Sequence, residues 1–330
     1  MNPVQPVRLG RADLQVTRLG LGGGPLAGLF AEVSESGALG AIGRAVELGI
    51  RLFDTAPLYG LGLSEKRLGR GLREYPRDAF VLASKAGRLL VPLCEGETVQ
   101  SNFARPLPFR PVFDFSYDAV MRSLASSLER LGLDRIDILH VHDPDDAFEQ
   151  VMRETYPALE KLRSQGVVRA IGAAMNQWEM LARFARECDF DCFLLASRYT
   201  LIDQTALPEF LPLCLEKGIG VILGGPYNSG ILASGATPGA KFEYKDAPAG
   251  VVNKVRQIES VCGRHGVPLQ AAALQFPLAH PAVAAVIPGS RSAAEVEENC
   301  RLMRLAIPRD FWGELREQAL LPPDASVPGD

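Results

Sequence analysis

The sequence predicts an α/β fold, a (β/α)8 TIM barrel with an N-terminal β-hairpin and long loops at the C-terminal face of its strands. Three observations carry that expectation. Short apolar runs alternate with amphipathic helical stretches along the chain. Several helical stretches end in glycine just before the next run, at Gly49, Gly166 and Gly218, as expected where a helix turns back towards a parallel strand. Eight such runs follow one another, the number that closes a parallel barrel. A doubly wound open sheet is the alternative, because periodicity does not give strand order.

The elements follow in order. Residues 7–17 read as a hairpin ahead of the first strand, 18–22 (RLGLG). The next strands are 51–54 (RLFD), 80–85 (FVLASK), 136–142 (IDILHVH), 170–174 (AIGAA), 192–196 (CFLLA), 220–224 (GVILG) and 284–288 (AAVIP). Between them lie helices such as residues 117–131, where Val120, Leu124, Leu128 and Leu131 recur at helical spacing. Two connections are longer than compact α/β units need. Residues 86–116 lack regular periodicity and carry Phe103, Arg105, Phe109, Arg110, Phe113 and Phe115 among prolines; residues 227–250 follow the seventh strand. Both leave the face where barrel active sites are built, so they are expected to form a pocket wall or lid.

Composition agrees with one barrel domain over 1–330. The chain of 330 residues is 47% hydrophobic and 22% charged, and no linker or charge block divides it. A formal net charge of -4 gives no electrostatic reason to expect nucleic acid or an anionic membrane as partner. No stretch has signal-peptide or bilayer-spanning character, so a cytoplasmic protein is expected. Six cysteines are present, and the closest pair, Cys188 and Cys192, has neither redox nor zinc spacing. They read as reduced thiols on a helix end and a strand. Interface and solvent faces of helices look alike here, which leaves monomer or homodimer.

The chemistry emerges where strand ends are compared. The second strand ends in Asp54, with Tyr59 on the following loop; the third ends in Lys85 and the fourth in His142. Each alone has a plain explanation, as a helix cap, a packing aromatic, a surface charge or a satisfied polar group. In a barrel, however, these ends converge. A tyrosine has an ordinary pKa of about 10, and a nearby ammonium held by a carboxylate is expected to lower it. Tyr59 would then act as general acid or base, tuned by Lys85, with Asp54 anchoring Lys85 and His142 orienting the substrate oxygen. Such a set handles the proton of a hydride transfer whose hydride a nicotinamide dinucleotide carries.

Two other readings compete. Gly22 to Ala27 fits Gly-x-Gly-x-x-Ala after a strand, but Pro25 and the residues after it do not open a phosphate-binding helix. His140 and His142 could bind a metal at a strand end, yet His265 and His280 lie in sequence read as helical, away from them. No metal is therefore expected.

Taken together, RLGLGGG (18–24), FDTAPLYGLGLSEKRLG (53–69), LASKAG (82–87), SLERLGLDRIDILHVHDPD (127–145) and VIPGSRSAAEVEENC (286–300) resemble the aldo-keto reductase superfamily over nearly the whole chain. The resemblance implies that Asp54, Tyr59, Lys85 and His142 form the family's catalytic tetrad. It places the dinucleotide against Gly23, Gly24, Asp54, Asn176, Ser197 and Gly224. The site would continue through Pro226, Tyr227, Asn228, Ser229 and Gly230. It would end with Pro288, Gly289, Ser290, Arg291, Glu295, Glu298 and Asn299.

Departures from the family pattern shape the cofactor expectation. Where NADP-preferring members offer a lysine and an arginine to the 2′-phosphate, this chain has Gly289 and Glu295. A carboxylate repels that phosphate and can accept from a ribose hydroxyl, so NAD is expected over NADP, with Arg291 and Arg301 nearby. The aromatic residue that stacks on the nicotinamide aligns with Gly224. The usual Ser-Asn pair aligns with Ala174 and Met175, leaving Asn176, Ser197 or main chain as anchors. These features resemble a subgroup acting on D-threo-aldoses such as L-fucose, on L-galactose and on pyridoxal. The expected function is NAD-dependent oxidation of an aldose anomeric hydroxyl to a lactone. The alternatives are a pyridoxal 4-dehydrogenase, a general aldehyde or ketone reductase, and a dinucleotide-binding regulatory subunit without turnover.

Overall fold

The computed structural model describes residues 1–329. Two short strands, β1 (Pro6–Arg8) and β2 (Gln15–Thr17), pair antiparallel, giving the expected hairpin. The eight expected strands are all present, within two residues of the expected ends. They are β3 (Gly20–Gly22), β4 (Leu52–Asp54), β5 (Val81–Ala86), β8 (Ile138–His142), β9 (Ala170–Met175), β10 (Cys192–Ala196), β11 (Gly220–Gly224) and β14 (Val283–Ile287). They pair in parallel in chain order. The seam between β3 and β14 closes through bridges Leu19 to Val286 and Gly22 to Gly289. Its hydrogen bonds run from Val286 N to Arg18 O (2.9 Å) and from Gly22 N to Pro288 O (3.0 Å). Closure removes the doubly wound alternative, and Pro25–Ala27 forms a single 3-10 turn instead of a phosphate-binding helix.

The eight barrel strands are buried on both faces, and alternate residues belong to different cores. Leu52, Ala83, Ile138, Ala170, Leu194 and Ile222 fill the barrel interior, and Leu9, Leu14 and Val16 of the hairpin join the same cluster. Their neighbours Phe53, Leu82, Leu139, Ile171, Phe193 and Val221 pack outwards under the helices. Gly172 marks the tightest place. A Cβ there would lie 1.8 Å from the Cys192 carbonyl oxygen and 3.1 Å from His140, so only glycine lets the imidazole occupy the interior.

The first long connection lines the cavity at the mouth of the barrel through residues such as Phe103 and Pro111, as expected, but is more regular than its aperiodic sequence suggested. Residues 88–92 and 109–113 form an antiparallel hairpin, β6 (Arg88–Pro92) with β7 (Phe109–Phe113). Both strands are mostly half-buried along their length, so no clean two-residue alternation was written into them. The second connection contains a short helix, Ile231–Ser234, and the two-residue strands β12 (Lys241–Phe242) and β13 (Lys245–Asp246). All six cysteines are free thiols. His265 ends the helix Ala249–His265, whereas His280 follows a 3-10 turn and is not helical. Among the described residues no helix is long and apolar enough to cross a membrane.

Candidate active site

Because the strands run the same way, the residues ending β4, β5 and β8 meet at one mouth. There a cavity of about 1020 Å³ is lined by Asp54, Tyr59, Lys85 and His142. The Lys85 ammonium, 1% exposed, donates to both Asp54 carboxylate oxygens (2.9 and 2.8 Å) and to the Thr55 carbonyl (2.8 Å). It also stands 4.7 Å from the centre of the Tyr59 ring. The Tyr59 ring meets His142 edge-on at 6.0 Å. Tyr59 begins the tight turn Tyr59–Gly62, whose left-handed Gly60, Leu61 and Gly62 swing the chain back into the helix Leu63–Leu72.

Burial dominates the protonation of this cluster. It pushes the Asp54 carboxyl up, with Lys85 opposing. It pushes the imidazole of His142 well down, helped by Lys85 and Arg88, so His142 is neutral. The Tyr59 phenol is raised well above its ordinary value by burial, then by the charges of Asp54, Tyr244 and Asp143, against Arg88. The expected lowering by Lys85 is therefore not realised. Asp54 grips the ammonium through both oxygens and its own charge opposes the phenolate, while desolvation is larger still. The group is a neutral phenol, suited first to proton donation.

His140 sits one layer deeper, fully buried, with Nε2 3.5 Å from the Cys192 sulfur and its basicity pushed down to about 3 by burial and Lys85. Among the described residues no group of three His, Cys, Asp or Glu side chains gathers there with metal-ligand geometry.

The cavity extends from the tetrad towards the helix Ala293–Arg304. Gly23, Gly24, Asn176, Ser197, Gly224, Gly289, Arg291, Glu295, Glu298, Asn299 and the stretch 226–230 all line it. Pro288 and Ser290 do not. Pro288 gives its carbonyl to the barrel seam, and Ser290 is buried behind the wall, accepting from Asn299 Nδ2 at 3.1 Å. Asn299 Oδ1 accepts in turn from the Tyr227 hydroxyl at 2.7 Å, which ties the loop after β11 to the helix. Asn176 uses its amide donor on the Ala196 carbonyl (3.0 Å), and Asn228 uses its own on that of Ser197 (3.1 Å).

The residues present fit a dinucleotide. The wall is rich in glycine, so main chain can approach a ligand closely, and a helix N-terminus capped by Ser292 opens at one end. The buried Asn228 Oδ1 is left without a protein partner. The departures also gain a physical reason. A Cβ on Gly289 would lie 2.2 Å from Pro25, so the proline ring fills the space a longer side chain would need. Glu295 accepts from Arg291 N at 2.8 Å, which fixes a carboxylate at the cavity edge. Arg301 is engaged twice by Glu298, at 2.7 Å each, and does not reach the wall. A Cβ on Gly224 would meet Leu194 at 3.0 Å, tight for any side chain.

Sequence reasoning missed Arg88, Asp143 and Tyr244. Asp143 lines the cavity directly after His142, and its Oδ2 accepts from Arg88 Nη2 at 2.6 Å. The adjacency of Asp143 to His142 was the available signal. Tyr244 carried none, since the turn between β12 and β13 places it.

A family model described as the aldo/keto reductase family matches residues 18–319. A pyridoxal 4-dehydrogenase of Microbacterium luteolum is 40% identical, over 95% of this chain and 97% of its own. A D-threo-aldose 1-dehydrogenase of a Pseudomonas species is 41% identical, over 94% and 96%. An L-galactose dehydrogenase of Arabidopsis thaliana is 33% identical, over 91% and 88%. Among solved structures, the holo form of an aldo-keto reductase of Bacillus halodurans superposes with a TM-score of 0.76 at 26% identity, covering 98% of each chain. The chain belongs to the aldo/keto reductase family and is an NAD(P)-dependent oxidoreductase.

Proposed function

We propose that the protein oxidises the anomeric hydroxyl of an aldose of the L-fucose, D-arabinose or L-galactose type to a lactone, with NAD as the hydride acceptor. The observation that carries this reading is the meeting of Tyr59, Lys85, Asp54 and His142 on one wall of a cavity whose far edge presents Gly289 and Glu295. In the oxidative direction a dinucleotide held by the glycine-rich wall and Asn228 would supply the acceptor for the C1 hydride. Tyr59, once ionised, takes the hydroxyl proton, and neutral His142 orients the oxygen. Lys85, held by both oxygens of Asp54, packs its ammonium 4.7 Å from the ring centre and fixes the wall on which the phenol lies.

NAD is favoured by the carboxylate of Glu295 and by the engagement of Arg301 with Glu298. Near-equal identity to pyridoxal 4-dehydrogenase supports pyridoxal as the second substrate reading. The test is initial-rate formation of reduced nicotinamide at mildly alkaline pH, with NAD or NADP against L-fucose, D-arabinose, L-galactose and pyridoxal. Turnover with NAD and one sugar supports the proposal, and turnover with pyridoxal alone replaces it by the second reading. Better turnover with NADP refutes the role given to Glu295. Tight dinucleotide binding without turnover on any of these would move the protein towards an aldehyde reductase or a regulatory binding subunit.

A further inference from the structure

One charged group on the cavity wall is left without a task by the proton and hydride chemistry. Asp143 follows His142 with a left-handed backbone (φ 41°), unusual for a residue with a side chain, and its N–H donates to the Ala174 carbonyl at 3.0 Å. This turn puts the carboxylate into the mouth of the cavity instead of the solvent. Arg88, at the start of the β6–β7 hairpin, holds Oδ2 at 2.6 Å, and the guanidinium itself lies 4.7 Å from the centre of the Phe113 ring. His142 Nε2 stands 3.6 Å from the same Oδ2. Among the described residues Oδ1 has no protein partner, and neither has the hydroxyl of Tyr244, which lines the same cavity.

We propose that Asp143 recognises a substrate hydroxyl on the carbon next to the reacting one, with Arg88 as the residue that positions it. The inference rests on the sugar-oxidising reading above. Oxygens on adjacent carbons lie about 3 Å apart, within mutual hydrogen-bond reach, and the 3.6 Å step from His142 Nε2 to Asp143 has the same scale. An oxygen seated on Tyr59 and His142 therefore brings its neighbour to Asp143. A carboxylate accepts from a hydroxyl and leaves an uncompensated charge when that hydroxyl is missing, so it discriminates strongly against a deoxy analogue. Burial pushes the Asp143 carboxyl up and Arg88 pulls it back, which fits a group kept as an acceptor by its partner. The Tyr244 hydroxyl supplies a donor in the same cavity.

The experiment measures kcat/KM for an accepted aldose and for its 2-deoxy analogue, in the wild type, in Asp143→Asn and in Arg88→Gln. The expected wild-type preference for the 2-hydroxy sugar shrinks by about 10- to 100-fold in Asp143→Asn. Arg88→Gln, which leaves the carboxylate present but unheld, shifts the same ratio in the same direction by less. An equal loss on both sugars in Asp143→Asn would mean that the residue acts only through His142 or the fold, and overturns the proposal. So does a wild-type enzyme that turns over both sugars equally well. A wild-type enzyme inactive on every sugar but active on pyridoxal or simple aldehydes overturns the sugar reading itself, a different and separable outcome.

Discussion

Replacing Lys85 by methionine tests the buried pair at the heart of the site. Methionine has similar volume, so the change removes charge without opening a cavity. It deletes three donated hydrogen bonds of 2.8 to 2.9 Å and leaves the Asp54 carboxylate, whose side chain is only 4% exposed, without its cation. Removing one partner of a buried pair costs about 3–5 kcal/mol. For a chain of this size that corresponds to a fall in Tm of about 6–10 °C, at roughly 2 °C per kcal/mol. The loss depends on pH with a defined sign. Asp54 already has a raised pKa in the folded state, and without Lys85 the rise grows. The native state then holds this proton to higher pH than the unfolded chain, whose carboxyl titrates near about 3.9. The part of the penalty that comes from the orphaned charge is therefore absent in acid, grows as pH rises from the unfolded value towards the native one, and is complete above it. Thermal melts of Lys85→Met should show a larger deficit at pH 8 than at pH 5. Adding Asp54→Asn removes the orphaned charge and should recover most of the loss, since replacing both members of such a pair is often near neutral. If the single and double variants melt alike, or if the deficit is flat with pH, the ion pair does not dominate the stability of this wall.

Other consequences can be checked directly. Oxidation should speed up with pH into the alkaline range while reduction persists at neutrality, because the Tyr59 phenol is raised and must ionise to act as base; Tyr59→Phe should abolish that rise and lower kcat by at least about 100-fold. Glu295→Gln keeps an acceptor for Arg291 N but removes the charge, and should move the NADP-to-NAD ratio of kcat/KM towards NADP by about tenfold at low ionic strength, less in high salt. An unchanged ratio would show that Glu295 does not face the ribose. Gly172→Ala should lower Tm sharply or abolish soluble expression, since its Cβ would overlap the Cys192 carbonyl oxygen; a variant melting within about 2 °C of wild type would mean that β9 and β10 can separate cheaply.

The fold was legible in the sequence because strands buried on both faces leave uninterrupted apolar runs, and glycine helix ends punctuate them. The same physics made Asp54, Lys85 and His142 conspicuous, as polar residues closing apolar runs. What stayed hidden depends on tertiary placement. The β6–β7 hairpin is half-buried, so its residues lack an alternating signature, and Arg88 looked like one arginine among several. Tyr244 is placed by a turn between two-residue strands, too short to register as periodicity. Pro25 and Gly289 are far apart in sequence, and only their contact explains why a longer side chain has no room at that position. The direction of the Tyr59 shift was misjudged because a charge nearby can be inferred from spacing, whereas the depth of burial and the grip of Asp54 on Lys85 cannot.

The seam between β3 and β14 has a consequence for how the chain is made. The barrel is joined by its first and eighth strands, and its last ladder cannot form until β14 has left the ribosome. Until then β3 waits as an open edge. Its three residues, Gly20-Leu21-Gly22, offer little to a stray strand, and so short an edge is a poor template for aggregation. The seam also borders the cavity, since Gly22 bridges to Gly289 and both line it. Any ligand that binds this cavity only when the seam is closed would therefore stabilise the completed barrel by mass action.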